Sequence, residues 1–103
     1  MAKYLYVYHG GGVPDPEEVK QVMDAWEAWF RGIGASVVDA GNPVGPSKTL
    51  KSDGSVAGDG GANPASGYSI VEASSHDDAV DKARGCPILS AGGSIEVCEI
   101  MQM

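Results

Sequence analysis

Alternation opens the chain. Residues 3–8 hold Tyr4-Leu5-Tyr6-Val7-Tyr8, a run of strong β-formers. A strand there puts the three tyrosines on one face and Leu5 with Val7 on the other. Neither face carries a charge, so both are expected to be at least half buried. His9 and Gly10-Gly11-Gly12 end the run. The period then changes. Val19, Met23, Trp26, Phe30 and Ile33 recur at spacings of four and three, and Val22 and Trp29 widen the stripe. Pro14-Asp15-Pro16-Glu17-Glu18 reads as the helix start, with Asp15 as cap, and Gly32 and Gly34 as its stop.

A second strand is predicted over 35–40, centred on Val37 and Val38 and closed by Gly41-Asn42-Pro43. The segment from Val44 to Gly67 is rich in glycine and proline. Within it, residues 48–51 and 55–57 form a predicted hairpin turned by Ser52-Asp53-Gly54, because Asp-Gly favours a tight primed turn. A core strand spans Gly67 to Ala73. Ser74 or Ser75 caps a second helix, and Ser75 with Asp78 resembles a capping box. Ala79, Val80 and Ala83 form that helix's inner face, and Gly85-Cys86-Pro87 ends it. Ser94 to Ile100 is the last strand, with Ile95, Val97 and Glu99 on one face.

The order strand, helix, strand, hairpin, strand, helix, strand is the βαββαβ plan of a ferredoxin-like α+β domain. It predicts a four-stranded antiparallel sheet with both helices on one face. The other face needs a cover. Tyr4, Tyr6 and Tyr8 are placed on it, and a second copy of the chain is the economical cover.

Size and charge narrow the function classes. The 103 residues fit one domain, 1–103. A net charge of −7, with seven scattered Lys and Arg, argues against nucleic acid and against anionic membranes. Cys86 and Cys98 lie twelve positions apart with no CxxC, so two reduced thiols are expected. The first residues do not read as a signal peptide, and no run is long enough to span a bilayer. The expectation is a cytoplasmic protein.

Several short pieces, in this order, carry a likeness. They are the aromatic first strand, Met23 with Trp26, Ala40-Gly41-Asn42-Pro43, Gly67-Tyr-Ser-Ile-Val-Glu-Ala73, Asp77-Asp-Ala-Val with Ala83, and Cys86-Pro-Ile followed by Gly92-Gly93 and Ile95-Glu-Val97. Together they resemble the YCII-related family, and within it the DGPF-domain proteins. The resemblance implies a dimeric α+β barrel, in which two sheets pack face to face and leave clefts at the interface. It also implies no single activity. Some members are linked by gene neighbourhood to alternative sigma factors, and others are candidate small enzymes. Two departures stand out. The signature Asp-Gly-Pro-Phe is here Asp59-Gly60-Gly61-Ala62. The helix histidine of the members regarded as catalytic falls at or near Trp26, and the first helix has no histidine.

Candidate chemistry is thin. His9 ends a strand beside three glycines and could line a cleft as an acid or base, or simply be an exposed strand end. His76 reads as a solvated residue in a first helical turn. Asp39 and Asp59 could orient a ligand, or only bond their own turns. Cys86 is placed at a helix C-terminus, where the dipole raises a thiol pKa. His76, Asp77 and Asp78 diverge around a helix and do not converge on a metal. The expected reading is therefore a homodimeric small-molecule binding or regulatory module. Its cleft near the interface would be lined by Tyr6, Tyr8, Trp26, Asp39 and Tyr68. The alternative is a cofactor-free enzyme on a small organic substrate, with His9 or Asp59 transferring a proton. No metal or cofactor is implied by either.

Overall fold

The computed structural model describes residues 1–12 and 14–102. Strand β1 (Ala2–His9) is followed by helix α1 (Val19–Ile33), a 3₁₀ turn at Gly34–Ser36 and β2 (Val37–Pro43). A small hairpin, β3 (Thr49–Leu50) and β4 (Val56–Ala57), precedes β5 (Ala65–Ala73). Helix α2 (His76–Ala83), a short α3 (Pro87–Ser90) and β6 (Ser94–Glu99) complete the chain. The main sheet runs β2-β5-β1-β6, every neighbouring pair antiparallel, and β3-β4 stands as a separate two-stranded ribbon. This is the ferredoxin-like α+β arrangement.

The period-2 alternation of β1 sets the layers. Tyr4, Tyr6 and Tyr8 are at most 5% exposed and form the core with Trp29, Val71, Ala73, Ala79, Ala83, Cys86 and Ile88. The tyrosines therefore lie beneath the helices, and the placement of Tyr4, Tyr6 and Tyr8 on the open face is corrected. Size and a polar tip explain it. The inner face of α2 is made of alanines, so a long ring on the sheet fills the gap between layers. Its hydroxyl then finds an acceptor at the far side: Tyr6 Oη donates to the Ala79 carbonyl at 2.5 Å. Leu5, Val7, Tyr68, Ile70 and Cys98 alternate onto the opposite face and are half buried. The molecule measures 43 × 43 × 18 Å. Its short dimension accommodates one sheet and one helical layer, so among the described residues no layer covers the second sheet face.

Several boundaries differ from the pattern. Helix α1 starts at Val19, not at Pro16. Asp15 precedes a proline, which disfavours helical geometry, and its carbonyl accepts the Glu18 N–H at 2.8 Å in a turn ahead of the helix. Gly41-Asn42-Pro43 lies inside β2 rather than closing it. The register shifts between Asp39 and Asn42, and Gly41 sits at φ +75°. A Cβ on Gly41 would lie 1.8 Å from the Tyr68 carbonyl oxygen, so the bulge requires glycine. The hairpin forms where predicted. However, it turns through a three-residue connection, closed by Gly54 N–H to Lys51 O at 2.9 Å with Gly54 left-handed, and not through a primed two-residue turn. Half of the capping box forms: Ser75 Oγ accepts the Asp78 N–H at 3.0 Å, but the Asp78 carboxylate accepts the N–H of Ser74 rather than of Ser75, at 3.0 Å. Helix α3 is unannounced by periodicity because it is a single turn started by Pro87. Among the described residues, no helix is long and apolar enough to cross a membrane.

Candidate functional site

Aromatic rings tie α1 to the sheet. Trp29 stacks on Tyr6 with centroids 6.1 Å apart, and Trp26 meets Tyr8 edge-on at 5.1 Å. Trp26, Trp29 and Phe30 also contact one another at 4.8 to 6.0 Å. The Trp29 indole N–H donates to the Lys82 carbonyl at 3.0 Å, linking α1 to α2. The hydroxyls of Tyr6 and Tyr8 are both engaged. Tyr8 Oη donates to Ser69 Oγ at 2.7 Å, and Ser69 Oγ donates to the Ala40 carbonyl at 2.7 Å. Burial pushes the Tyr6 phenol up to about 12 and the Tyr8 phenol well above its usual range, so neither is a proton donor of use near neutrality.

Because α1 rests on large rings rather than on close backbone packing, a groove of about 1340 Å3 runs along it. Its walls include Tyr8, Trp26, Phe30, Gly41 and Tyr68, and the Gly10–Gly12 segment forms part of its rim. Ligand sites commonly measure about 300–1,000 Å3, so the space is ample for a small molecule. Among the described residues the lining holds no histidine, cysteine, lysine or arginine. Its charged members are Asp15, Glu18 and Glu27.

The sequence-predicted residues divide between two faces. Tyr8, Trp26 and Tyr68 line the groove, and Tyr6 lies beneath it in the core. Tyr68 also pairs across the sheet with Val7, so its register turns it to the open face. Asp39 pairs with Ile70 on that same open face, and its Oδ1 accepts the Gly41 N–H at 2.8 Å, which fixes the β2 bulge. Asp59 lies in the loop after β4. Its Oδ1 accepts the Gly61 N–H at 3.1 Å, and its carbonyl accepts from Thr49 Oγ1 at 2.8 Å. These bonds organise the loop.

His9 is set apart from the groove. Its Nε2 is 3.1 Å from Glu96 Oε1, its Nδ1 is 2.9 Å from the Asn63 carbonyl, and its side chain is 15% exposed. Glu96 was missed by sequence reasoning. Its signal was present, since it alternates with Ile95 and Val97 and therefore points to the face that carries His9. Recognising the pair required the β1–β6 register, which sets His9 opposite Ser94 and Val7 opposite Glu96. His76 is less free than a solvated residue. Its Nε2 lies 2.9 Å from the Val97 carbonyl, and its ring lies 5.3 Å from that of Tyr4.

Both cysteines are free thiols. Cys86 sits at the start of α3 rather than at the end of α2, so the dipole there is not the cause of its behaviour. Burial pushes its thiol up to about 11. Burial also raises the Cys98 thiol, with help from the neighbouring Glu96 carboxylate. Among the described residues, no group of three His, Cys, Asp or Glu side chains could hold a metal ion.

No protein-family model matches the chain, and no curated protein matches it. Among solved structures, it resembles 5-chloro-2-hydroxyhydroquinone dehydrochlorinase from Burkholderia phenoliruptrix AC1100, determined in complex with 2,5-dihydroxybenzoquinone. The TM-score is 0.55 and the identity 18%, over 100% of this chain and 96% of that chain. At that identity the likeness is one of fold: this chain and the dehydrochlorinase share the same α+β architecture from end to end.

Proposed function

We propose that the chain is a small-molecule binding or regulatory protein of the YCII-related, DGPF-like group, acting as a homodimer in the cytoplasm. The carrying observation is the groove of about 1340 Å3 along α1, whose lining includes the half-buried Trp26 and Phe30 beside the buried Tyr8. Planar ligands gain from such faces. The phenol of Tyr8 is already bonded to Ser69 and the lining has no imidazole or thiol, which favours binding over acid–base chemistry there. The dimer reading is supported by the half-buried row of Leu5, Val7, Tyr68 and Ile70 on a sheet face that, among the described residues, has no covering layer.

The test is a thermal-shift screen of small aromatic compounds on the wild type and on Trp26→Ala. Compounds that raise the wild-type midpoint and leave the variant unmoved support the reading. A panel that moves neither protein sinks it.

One observation favours a second reading, a cofactor-free proton-transfer enzyme. His9 is largely enclosed and within bonding distance of a carboxylate, the pairing that a general base uses. In that reading His9 rather than Asp59 transfers the proton, and Glu96 orients it. Turnover of a bound compound by the wild type, absent in His9→Gln while binding persists, is its expected signature. Equal turnover in His9→Gln rejects it.

A further inference from the structure

We propose that the β3–β4 hairpin of one copy adds, antiparallel, to the free edge of β6 in a second copy, with Leu50 opposite Val97, Lys48 opposite Glu99 and Lys51 opposite Glu96. This rests on the homodimer proposed above and adds the place of the hairpin in it. Among the described residues, the hairpin joins no other strand of its own chain. Leu50 and Val56 face each other across it and are 73% and 61% exposed. A two-stranded ribbon alone is marginal in water, so a partner would steady it. The radius of gyration is 14.8 Å, against about 13 Å for a compact domain of this length. That excess fits a hairpin standing out from the body.

Strand β6 offers the matching edge. It pairs with β1 from Ser94 to Glu99 without a register shift, whereas β2, the other edge, is broken by two. An unbroken edge presents a row of unpaired backbone groups. The Ile100 N–H donates to the Lys3 carbonyl at 2.9 Å. Bonded pairs alternate with pairs whose backbone groups point away from each other, so those of Ile95, Val97 and Glu99 face outward. His76 Nε2 now lies 2.9 Å from the Val97 carbonyl, a bond that the added strand takes over. In the hairpin, the Lys51 N–H donates to the Ser55 carbonyl at 2.8 Å, so by the same alternation the backbone groups of Leu50 face outward. Outward groups meet when Leu50 lies opposite Ile95, Val97 or Glu99. Of these registers, only Val97 sets both lysines against both glutamates. Among the described residues, neither lysine nor Glu99 is in a salt bridge, and Glu96 meets His9 through Oε1 alone. Opposite charges directly across a ladder are favourable.

The same register places Leu50 on the face of Val97, since opposed residues share a face. A pocket of about 150 Å3 opens there, lined by Val80, Ala83, Arg84, Leu89, Ile95 and Val97. A cavity of that size holds a benzene-sized apolar group, and a leucine side chain is no larger. Arg84 is held by Asp81 at 3.0 Å. Main-chain bonds along an edge, with a pocket for one side chain, are how an added strand is recognised.

The experiment measures the dimer dissociation constant of the full chain by sedimentation equilibrium. It compares the wild type, the double variant Lys48→Glu with Lys51→Glu, the double variant Glu96→Lys with Glu99→Lys, and an equimolar mixture of the two variants. All four positions are exposed, so neither variant disturbs the core. Each double variant should weaken the dimer about tenfold, because like charges then oppose each other at both hairpin contacts. The mixture should regain the wild-type affinity, since every hairpin then meets an edge of opposite charge. Unchanged affinity in either variant, or a mixture no tighter than its components, overturns the hairpin docking and leaves the dimer through the open sheet face standing. A wild-type monomer at micromolar concentration overturns both.

Discussion

Tyr6 and Tyr8 show how single side chains hold this core. Each ring fills space between sheet and helix while its hydroxyl reaches a fixed acceptor, Ala79 O or Ser69 Oγ. Cys86 has no comparable outlet for charge. Its folded thiol titrates at about 11 against an ordinary 9.0, so the folded state keeps the proton longer than the unfolded one. The resulting stabilisation is complete below pH 9 and is lost as pH rises toward 11. Urea midpoints should therefore fall faster between pH 9 and 11 for the wild type than for Cys86→Ala, and parallel slopes would contradict this. Gly41 is the other decisive position. A methyl group there meets the Tyr68 carbonyl, and φ is +75°. Gly41→Ala should cost on the order of 3 kcal/mol in chemical denaturation. A loss within experimental error would show that the bulge relaxes.

Helix α2 is the element most clearly written in its local sequence. Ser75 caps it, and Asp78 reaches back to the Ser74 N–H and hydroxyl while bonding Lys82 Nζ at 3.1 Å. The Ser74 N–H, then Lys82, hold the Asp78 carboxyl below its ordinary 3.8. A depressed folded value stabilises above the unfolded pKa and is lost as pH falls through the folded one. Asp78→Asn should therefore lower the thermal midpoint at pH 7, and the gap to wild type should close as the pH drops below about 3.8. A gap that persists undiminished in acid would assign the effect to shape rather than charge. Helix α1 is the contrasting case. Its stripe was legible, yet Met23, which lines the groove, remains 59% exposed, and Val19 at the first position of the helix remains 39% exposed.

At the scale of the molecule, the fold is one helical layer on one sheet, with an aliphatic row left on the far side. A second copy covering that row would remove apolar surface from water, the dominant favourable term in association. Light scattering should give twice the chain mass of 10.6 kDa for the wild type and the chain mass for Val7→Lys, since a lysine at the centre of the row would be buried without a partner. A wild-type monomer at micromolar concentration would refute the dimer. Such a dimer would place Asp39, Tyr68 and the His9–Glu96 pair beside the partner subunit.

The sequence by itself determined the element order, the α1 stripe, the α2 cap and the hairpin. Each depends on residues a few positions apart, where periodicity and capping chemistry act. It also named Tyr8 and Trp26, whose rings meet edge-on beneath α1, and Tyr68, which the sheet register turns to the opposite face. Which face of β1 lies under the helices was decided only by packing, because both faces lack charge and the choice turns on tyrosines matching the alanines of a helix some seventy residues away. The bulge at Gly41 and the partnership of His9 with Glu96 were likewise set by strand register. Register joins residues distant in sequence, and no local pattern encodes it.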